Sequence, residues 1–327
     1  MPLVRLTTPF RSWPFLQQTP GKKGAWGDYT FVLDPVEECD FWVVYDGLEQ
    51  AETARCASAH TLFITAEPPS VRRYRSNFAA QFGSVISAHD DLRHPDLIHD
   101  HSALPWHIGR RVDREKNLGF TKDYDTLKAL EAPAKTRLLS VIASDKAFVA
   151  EHRARLAFVK TLKEHFGDEL DVFGRGIRDI EDKWDAIAPY KYHLVVENST
   201  VPDYWTEKLS DAYLGWSYPF YAGCSNIDRF FAPGMLSKVS YDDPAGAIET
   251  IRAAMANNLY EASLPALREA RRLCLDVHNL FPYIVRWCEQ RAPASKTPIT
   301  LRPESAFPDS LATRALRMAR RLAAAVR

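Results

Sequence analysis

The stretch "KYHLVVENSTVPDYWTEKLSDAYLGW", residues 191–216, joins an apolar strand to a helix through a polar turn. Glu197 and Asn198 end the strand, and Glu207 and Lys208 open the helix. The first turn of a helix presents free N–H groups and the positive end of the dipole, which together favour an anion and disfavour a lysine. Lys208 therefore indicates that a phosphate binds nearby, and the carboxylate of Glu207 is suited to accept hydrogen bonds from ribose hydroxyls. From composition alone, both residues also fit an ordinary solvated first turn.

Glu67 is the best candidate for a general base. It follows the apolar run "TLFIT" and precedes Pro68 and Pro69, which stiffen the backbone where a strand ends. A carboxylate whose pKa is raised by desolvation accepts a proton near neutral pH. The alternative is a structural acid that caps a turn.

Other polar and aromatic residues give weaker signals. His99 and His101 supply two possible metal ligands without a third at a recognisable spacing, so we expect a surface loop there. Asp243 before Pro244 predicts a helix N-cap, and we assign no metal site. Trp13 and Trp26 are candidates for stacking on an acceptor sugar or for packing in the core.

Strand and helix patterns alternate along most of the chain, which predicts an α/β fold with parallel sheets. Four strand-like runs occur before residue 90, and a regular series of strands and helices extends from Arg137 to about Asn257. The polar segment 121–134 is a candidate linker. We therefore predict a Rossmann-like domain over 1–130, a second over 131–300, and a separate tail over 301–327.

Bulk composition excludes several classes of protein. The 327 residues are 46% apolar, and Lys plus Arg equal Asp plus Glu at 42 each, so we expect no nucleic-acid partner. Five scattered cysteines without a CxxC pair argue against a disulfide framework. The sequence shows no signal peptide and no apolar run of membrane-spanning length, which favours a cytoplasmic protein.

The segment 309–327, "DSLATRALRMARRLAAAVR", has the pattern of a basic amphipathic helix. At 100° per residue, one arc is apolar and the other carries five arginines. Such a helix either docks on the protein or binds anionic lipid headgroups, so peripheral membrane contact is one of two expectations.

The stretch "YHLVVENSTVPDYWTEKLSDAYLGWSYPFYAG" resembles the signature of the alpha-1,3/1,4-fucosyltransferase family, glycosyltransferase family ten, in which E-N-S is followed by Y-x-T-E-K. "RARLAFVKTLKEHFGDELDVFGRG" resembles the family's arginine-bearing helix and the strand and turn after it. "FITAEPPSVRRY" is similar to its acidic amino-terminal segment. These elements cover most of residues 60–235.

The resemblance implies a GT-B architecture, in which two Rossmann-like domains face each other across a cleft and the carboxyl-terminal one holds GDP-fucose. It assigns donor binding to five residues: Arg155 and Lys208 for the diphosphate, Glu207 for the ribose, and Asn198 and Tyr204 for the shape of the pocket. The alternative for Arg155 is a solvated charge on its helix.

The resemblance also gives roles to the other acids. Glu197 and Ser199 organise the turn, and Glu67 takes the proton from the acceptor hydroxyl in a single inverting displacement. Two cations and helix N–H groups stabilise the departing GDP without a divalent metal, so we expect neither metal nor cofactor.

Differences from the family pattern concern the type of organism and the identity of the transferred sugar. Animal members carry a membrane anchor and disulfide-forming cysteines, so their absence fits a bacterial, cytoplasmic form acting on a lipopolysaccharide or capsular glycan. Trp205 replaces the usual Val or Ile, which places the identity of the sugar in question. The rival functions are a glycoside hydrolase, using Glu67 with Glu197 or Glu207, and a noncatalytic glycan-binding protein of the same fold.

Overall fold

The computed structural model of the protein describes residues 1–113, 116–143 and 150–308. The predicted amphipathic helix over 309–327 lies outside the described residues. The chain divides into two compact units. The smaller unit comprises Pro2–Arg11, Phe31–Ile98 and the described residues from Ala292 onward, and the larger unit comprises Ser12–Thr30 and His99–Arg291.

Strands and helices alternate through most of the described chain. The strands are β1 Leu3–Thr7, β2 Ala25–Trp26, β3 Tyr29–Val32, β4 Phe41–Tyr45, β5 Glu52–Cys56, β6 Thr61–Ile64, β7 Ser84–Ser87, β8 Leu97–His99, β9 Arg110–Asp113, β10 Lys116–Phe120, β11 Arg137–Ile142, β12 Leu170–Phe173, β13 Tyr190–Val196, β14 Tyr218–Ala222, β15 Ser237–Lys238 and β16 Thr297–Leu301. The helices are α1 Ser76–Ala79, α2 Tyr124–Ala129, α3 Ala150–Phe166, α4 Lys183–Ile187, α5 Glu207–Leu214, α6 Pro244–Ala256, α7 Leu259–Ala262, α8 Leu264–Asp276 and α9 Leu280–Glu289.

The larger unit is built on a parallel five-stranded sheet in the order β12-β11-β13-β14-β15. Its central strands are continuous apolar runs because crossover helices cover both faces of a parallel sheet. Every residue of β14 is buried, and β13 is buried over most of its length. The predicted series of strands and crossover helices is confirmed, and the carboxyl ends of these strands meet at one edge.

The smaller unit has a parallel sheet of its own, with β1, β4, β6 and β7 adjacent in that order. Phe63 on β6 packs against Phe78 and Phe82, which lie in and just after α1. The predicted α/β class is therefore confirmed in both units.

The unit boundaries differ from the predicted 1–130, 131–300 and 301–327. Helix α2 belongs to the larger unit because Tyr124 and Leu127 are buried in its core, so the segment 121–134 is not a linker. Strand β16 pairs antiparallel with β5 in the smaller unit. The sequence carries no local signal for this pairing, because two strands that are far apart in the chain pair only through tertiary contacts.

Two further findings concern membranes and thiols. Among the described residues, the helices are too short or too polar to cross a bilayer. The five cysteines are buried free thiols.

Candidate functional site

A pocket of about 580 Å³ lies at the carboxyl edge of the larger unit's sheet. Its walls come from the ends of β11 and β13, from α3 and from the first turn of α5. Four of the five predicted donor-binding residues line it: Arg155, Asn198, Glu207 and Lys208. Arg175 and Lys183 add two cations, whereas the acids in the lining are Glu207 and Asp211, so the lining holds more positive than negative charge.

Glu197 ties the end of β13 to the start of α5. Its two carboxylate oxygens accept hydrogen bonds from the backbone N–H and the hydroxyl of Thr206, at 2.8 and 2.7 Å. Thr206 is the N-cap of α5, and its hydroxyl accepts the N–H of Lys208 at 3.3 Å. Burial raises the pKa of Glu197, and the charge of Lys208 opposes that rise. These contacts fix where the first turn of α5 begins.

Gly223 makes room for the Glu197 side chain at the end of the neighbouring strand, β14. A Cβ atom at this position would lie 2.5 Å from the Cγ atom of Glu197, which is closer than real Cβ atoms approach another carbon. Ser199, also buried, accepts the N–H of Val201 at 3.4 Å.

Lys208 lies among acceptors that the protein itself supplies. Its ammonium is 3.1 Å from the Thr206 hydroxyl, 3.4 Å from Glu207 Oε1 and 3.5 Å from Glu197 Oε2. Burial lowers the pKa of Lys208, but the two carboxylates outweigh burial and hold it above its ordinary value. The unfavourable position of a lysine in a first helical turn is therefore offset by neighbouring carboxylates.

Arg155 reaches the pocket from α3. Only 4% of the residue is exposed, so the alternative of a solvated helix charge is wrong. One guanidinium nitrogen, Nη1, donates to Asn198 Oδ1 at 2.7 Å. Burial lowers the pKa of Arg155, and the nearby groups Tyr241 and Glu197 partly oppose this. The guanidinium and the Asn198 amide thus form one wall of the pocket.

Lys183 and Asp211 form a second ion pair that sequence analysis missed. Lys183 is the first residue of α4, and its ammonium lies 2.6 Å from Asp211 Oδ2 and 3.4 Å from Glu207 Oε1. Burial lowers the pKa of Lys183, but Asp211 and Glu207 raise it overall. The available sequence signal is the i,i+4 spacing of Glu207 and Asp211, which places both carboxylates on one face of the helix.

Two carboxylates hold the segment 107–109 beside this pair. Asp211 Oδ1 accepts the N–H groups of His107 and Ile108, both at 2.8 Å. Asp182, the N-cap of α4, accepts the N–H of Gly109 at 2.9 Å. Three consecutive backbone donors are thereby satisfied, and the His107 ring is placed 4.0 Å from Glu207 Oε1.

Trp13 packs beside this segment. Its ring lies 4.6 Å from that of His107, and the Arg110 guanidinium lies over its face at 4.4 Å. His107 and Arg110 line an adjoining pocket of about 560 Å³ that shares Lys183 with the first pocket. Trp13 thus packs against two residues of this pocket's lining, and its predicted contact with an acceptor stays a prediction.

Two predicted residues lie in or against the core of the larger unit. Trp26 packs edge-to-face on Tyr124, with ring centroids 5.2 Å apart. Tyr204 is 5% exposed and is absent from the lining of the donor pocket as described. Their predicted ligand contacts stay predictions.

Trp205 lies beneath the first turn of α5 in an aromatic cluster. It is 3% exposed and stacks on His101 at 4.9 Å, with His278 at 5.3 Å. The predicted surface loop at residues 99–101 is therefore wrong for His101, which is buried. Trp205 therefore packs in the core, and its predicted link to the identity of the sugar stays a prediction.

The two histidines of this cluster have defined tautomers. The N–H of Ala103 donates to Nδ1 of His101 at 3.0 Å, so the proton of the neutral ring is on Nε2. That proton is donated to Nδ1 of His278 at 3.1 Å. Burial lowers the pKa of both rings, to about 4 for His278, and arginines including Arg286 add to the shift.

Glu67 lies at the carboxyl end of β6 in the smaller unit and is half-buried. Its N–H donates to the Tyr74 hydroxyl at 3.0 Å, and its carbonyl accepts Nε2–H of His89 at 2.8 Å. The same hydroxyl donates to Asp46, which follows β4. The backbone of Glu67 is thus held on both sides, as the predicted stiff strand end requires.

The metal candidates have structural explanations. Asp243 caps α6 by accepting the N–H of Gly246 at 2.9 Å, with Pro244 at the first helical position, so the predicted N-cap is confirmed. In residues 1–113, 116–143 and 150–308, no group of three or more potential ligands is arranged to bind a metal ion.

Comparison with known proteins finds a family match for one segment of the chain. Residues 132–251 match the family model of the carboxyl-terminal region of glycosyltransferase family 10 (fucosyltransferase). This segment belongs to glycosyltransferase family 10. It contains Arg155, Asn198, Glu207 and Lys208, and the resemblance drawn from the sequence motifs is confirmed.

Curated relatives share part of the chain. A 4-galactosyl-N-acetylglucosaminide 3-alpha-L-fucosyltransferase of Pan troglodytes is 33% identical over 178 residues, which is 53% of this chain and 43% of the relative. A 3-galactosyl-N-acetylglucosaminide 4-alpha-L-fucosyltransferase of Homo sapiens is 33% identical over 109 residues, 32% of this chain and 29% of the relative. The chain therefore spans less than half the length of these family 10 relatives.

Solved structures give a distant likeness. A crystal structure of an alpha1,3-fucosyltransferase with GDP-fucose aligns with 86% of this chain and 92% of its own, at 15% identity and a TM-score of 0.48. The same enzyme type with GDP aligns over the same shares at 17% identity and a TM-score of 0.46.

The buried histidines predict a specific pH dependence of stability. Because the folded pKa of His278 is about 4 and the ordinary value is 6.5, the unfolded chain binds more protons between these values. The free energy of unfolding should therefore fall as the pH drops through this window. Between pH 7 and pH 4.5 this histidine should lower the free energy of unfolding by about 2 kcal/mol.

Chemical denaturation at pH 7 and pH 4.5 measures this loss. His278→Asn, which keeps an acceptor for His101, should lose less stability over the interval than the wild type. His165→Asn, at an exposed histidine on α3, is the control and should follow the wild type. Equal losses in wild type and His278→Asn would refute the assignment.

Proposed function

We propose that the protein is an inverting glycosyltransferase that transfers fucose, or a closely related sugar, from its GDP donor to a saccharide acceptor. The observation that carries the proposal is the pocket at the carboxyl edge of the larger unit's sheet. Within a family 10 segment, it brings the buried Arg155 together with Lys208 and Glu207. In open parallel sheets, nucleotides bind at this edge.

The side chains fit the charges of a nucleoside diphosphate. Arg155 and Lys208 supply two cations for the diphosphate, and the N-terminus of α5 adds the positive end of its dipole. Glu207 supplies an acceptor for ribose hydroxyls. Because the leaving GDP gains negative charge as the sugar departs, cations held in place stabilise the transition state without the need for a divalent metal.

The proposed reaction is a single displacement. The carboxylate of Glu67 removes the proton from an acceptor hydroxyl while that oxygen attacks the anomeric carbon of the sugar. The bond between the anomeric carbon and the β-phosphate oxygen breaks, and GDP leaves with the bonding electron pair. Attack from the face opposite the leaving group inverts the anomeric centre.

The rival functions are less well supported. A glycoside hydrolase needs two carboxyl groups that act on the substrate, one of them as a general acid. Both oxygens of Glu197 are engaged by Thr206, and the residue is 1% exposed. Glu207 is not suited to be the acid, because Lys208 and Lys183 outweigh the effect of burial and hold its pKa well below the ordinary value. A noncatalytic glycan-binding protein has no need for two cations and a ribose acceptor in one pocket.

We also propose a class of acceptor and a location in the cell. The names of the relatives support a saccharide acceptor, and a lipopolysaccharide or capsular glycan fits a bacterial enzyme that works in the cytoplasm. The arginine-rich pattern of residues 309–327 supports peripheral binding to the inner membrane, where such acceptors are assembled.

Replacement of the proposed base tests the reaction. Glu67→Gln should reduce the turnover of GDP-fucose with a saccharide acceptor by about 10²–10⁴-fold, because the amide cannot take the proton. Binding of GDP should be retained, since the donor residues lie in the larger unit. Glu49→Gln, at an exposed acid of the same unit as Glu67, is the control and should retain activity. Unchanged turnover of Glu67→Gln would instead indicate a structural acid.

Deletion of residues 310–327 tests the membrane proposal. Sedimentation with vesicles rich in anionic lipid should recover the full chain but not the truncated chain, because basic residues bind anionic headgroups. Activity on a soluble acceptor should survive the truncation. Equal vesicle binding of the two chains would exclude the tail as the membrane anchor.

A further inference from the structure

The two carboxylate oxygens of Glu207 have different surroundings. Oε1 lies 3.4 Å from the Lys183 ammonium, 3.4 Å from the Lys208 ammonium and 4.0 Å from Nδ1 of His107. Within the described part of the chain, these are the charged or hydrogen-bonding contacts of the carboxylate, and all of them involve Oε1. The side chain is 15% exposed and lines the pocket, so Oε2 is available to a ligand.

Lys183 is itself held rigidly. Its ammonium makes a 2.6 Å ion pair with Asp211, a carboxylate that is fully buried. The other oxygen of Asp211 binds the N–H groups of His107 and Ile108. Because Asp211 lies one turn after Glu207 on α5, the Lys183–Asp211 pair has a fixed position relative to the Glu207 side chain.

We propose that Lys183, anchored by Asp211, is a positioning residue that holds Oε1 of Glu207 and thereby presents Oε2 to a ribose hydroxyl of the donor. The inference rests on the proposed function and deepens it, since it gives the donor site a residue outside the signature motif. Lys183 acts through Glu207 and leaves the diphosphate to Arg155 and Lys208.

The two lysines at Oε1 therefore differ in function. Lys208 also contacts Thr206 and Glu197, at the end of β13. Lys183 comes from α4 and contacts two carboxylates of α5. Both lysine ammonium groups contact Oε1, so moving this oxygen away from them would cost favourable contacts. The carboxylate is therefore oriented before the nucleotide binds.

The test compares GDP with 2′,3′-dideoxy-GDP, which lacks both ribose hydroxyls. Binding to the full-length protein is measured by calorimetry, and the readout is the ratio of the two dissociation constants. The main variant is Lys183→Met/Asp211→Asn, which removes both charges together and keeps an amide oxygen for the N–H groups of His107 and Ile108. Lys128→Met/Asp276→Asn removes a surface ion pair of the same unit and is the matched control.

The wild type should bind GDP more tightly than 2′,3′-dideoxy-GDP. In the Lys183/Asp211 variant, the ratio of the two dissociation constants should fall about tenfold, as expected when a hydrogen bond to a charged group is misaligned. Its affinity for the dideoxy nucleotide should stay unchanged. Lys183→Arg should restore part of the preference. In a Glu207→Gln background, the loss of Lys183 and Asp211 should have little further effect, because the lysine acts through that carboxylate.

The outcomes separate the inference from the function on which it rests. If wild type binds neither nucleotide, the proposed function fails. If wild type prefers GDP and the Lys183/Asp211 variant keeps the full preference, the positioning role is refuted. An equal loss of affinity for both nucleotides would show that Lys183 contacts the diphosphate directly, which also overturns the inference.

Discussion

The placement of a lysine ammonium between two carboxylates in the first turn of α5 is the interaction on which the site depends. Lys208 lies within 3.5 Å of both Glu197 and Glu207. Without them, a cation at the positive end of a helix would be unfavourable. With them, the turn holds an ammonium group and a carboxylate side by side in the lining of the pocket. The end of β13, the N-cap Thr206 and the small residue Gly223 each serve this arrangement.

Sequence patterns predicted the parts of this arrangement that are local in the chain. The strand that ends at Glu197 and the helix that begins at Glu207 follow from apolar runs on either side of a polar turn. Lys183 and Asp211 could not be predicted in the same way because they are 28 residues apart and each resembles an ordinary helix residue. The pairing of β16 with β5 was missed for a similar reason, since two partners far apart in sequence carry no shared pattern.

Burial decided several questions that residue types left open. Arg155 and Trp205 are almost fully buried, which removes a solvated role for the first and places the second in the cluster with His101 and His278. Trp205 thus packs in the core directly before the N-cap of α5.

Nucleotide binding tests whether the pocket that contains Lys208 binds GDP. Thermal unfolding of the full-length protein is followed with GDP, UDP and CDP at equal concentrations, because a ligand that binds the folded state stabilises it by RT ln(1 + [L]/Kd), about 2.7 kcal/mol at a hundred times Kd. We predict that GDP raises the Tm most, and that Lys208→Met removes the effect. A response to UDP alone, or a GDP response that survives the loss of Lys208, would contradict this prediction.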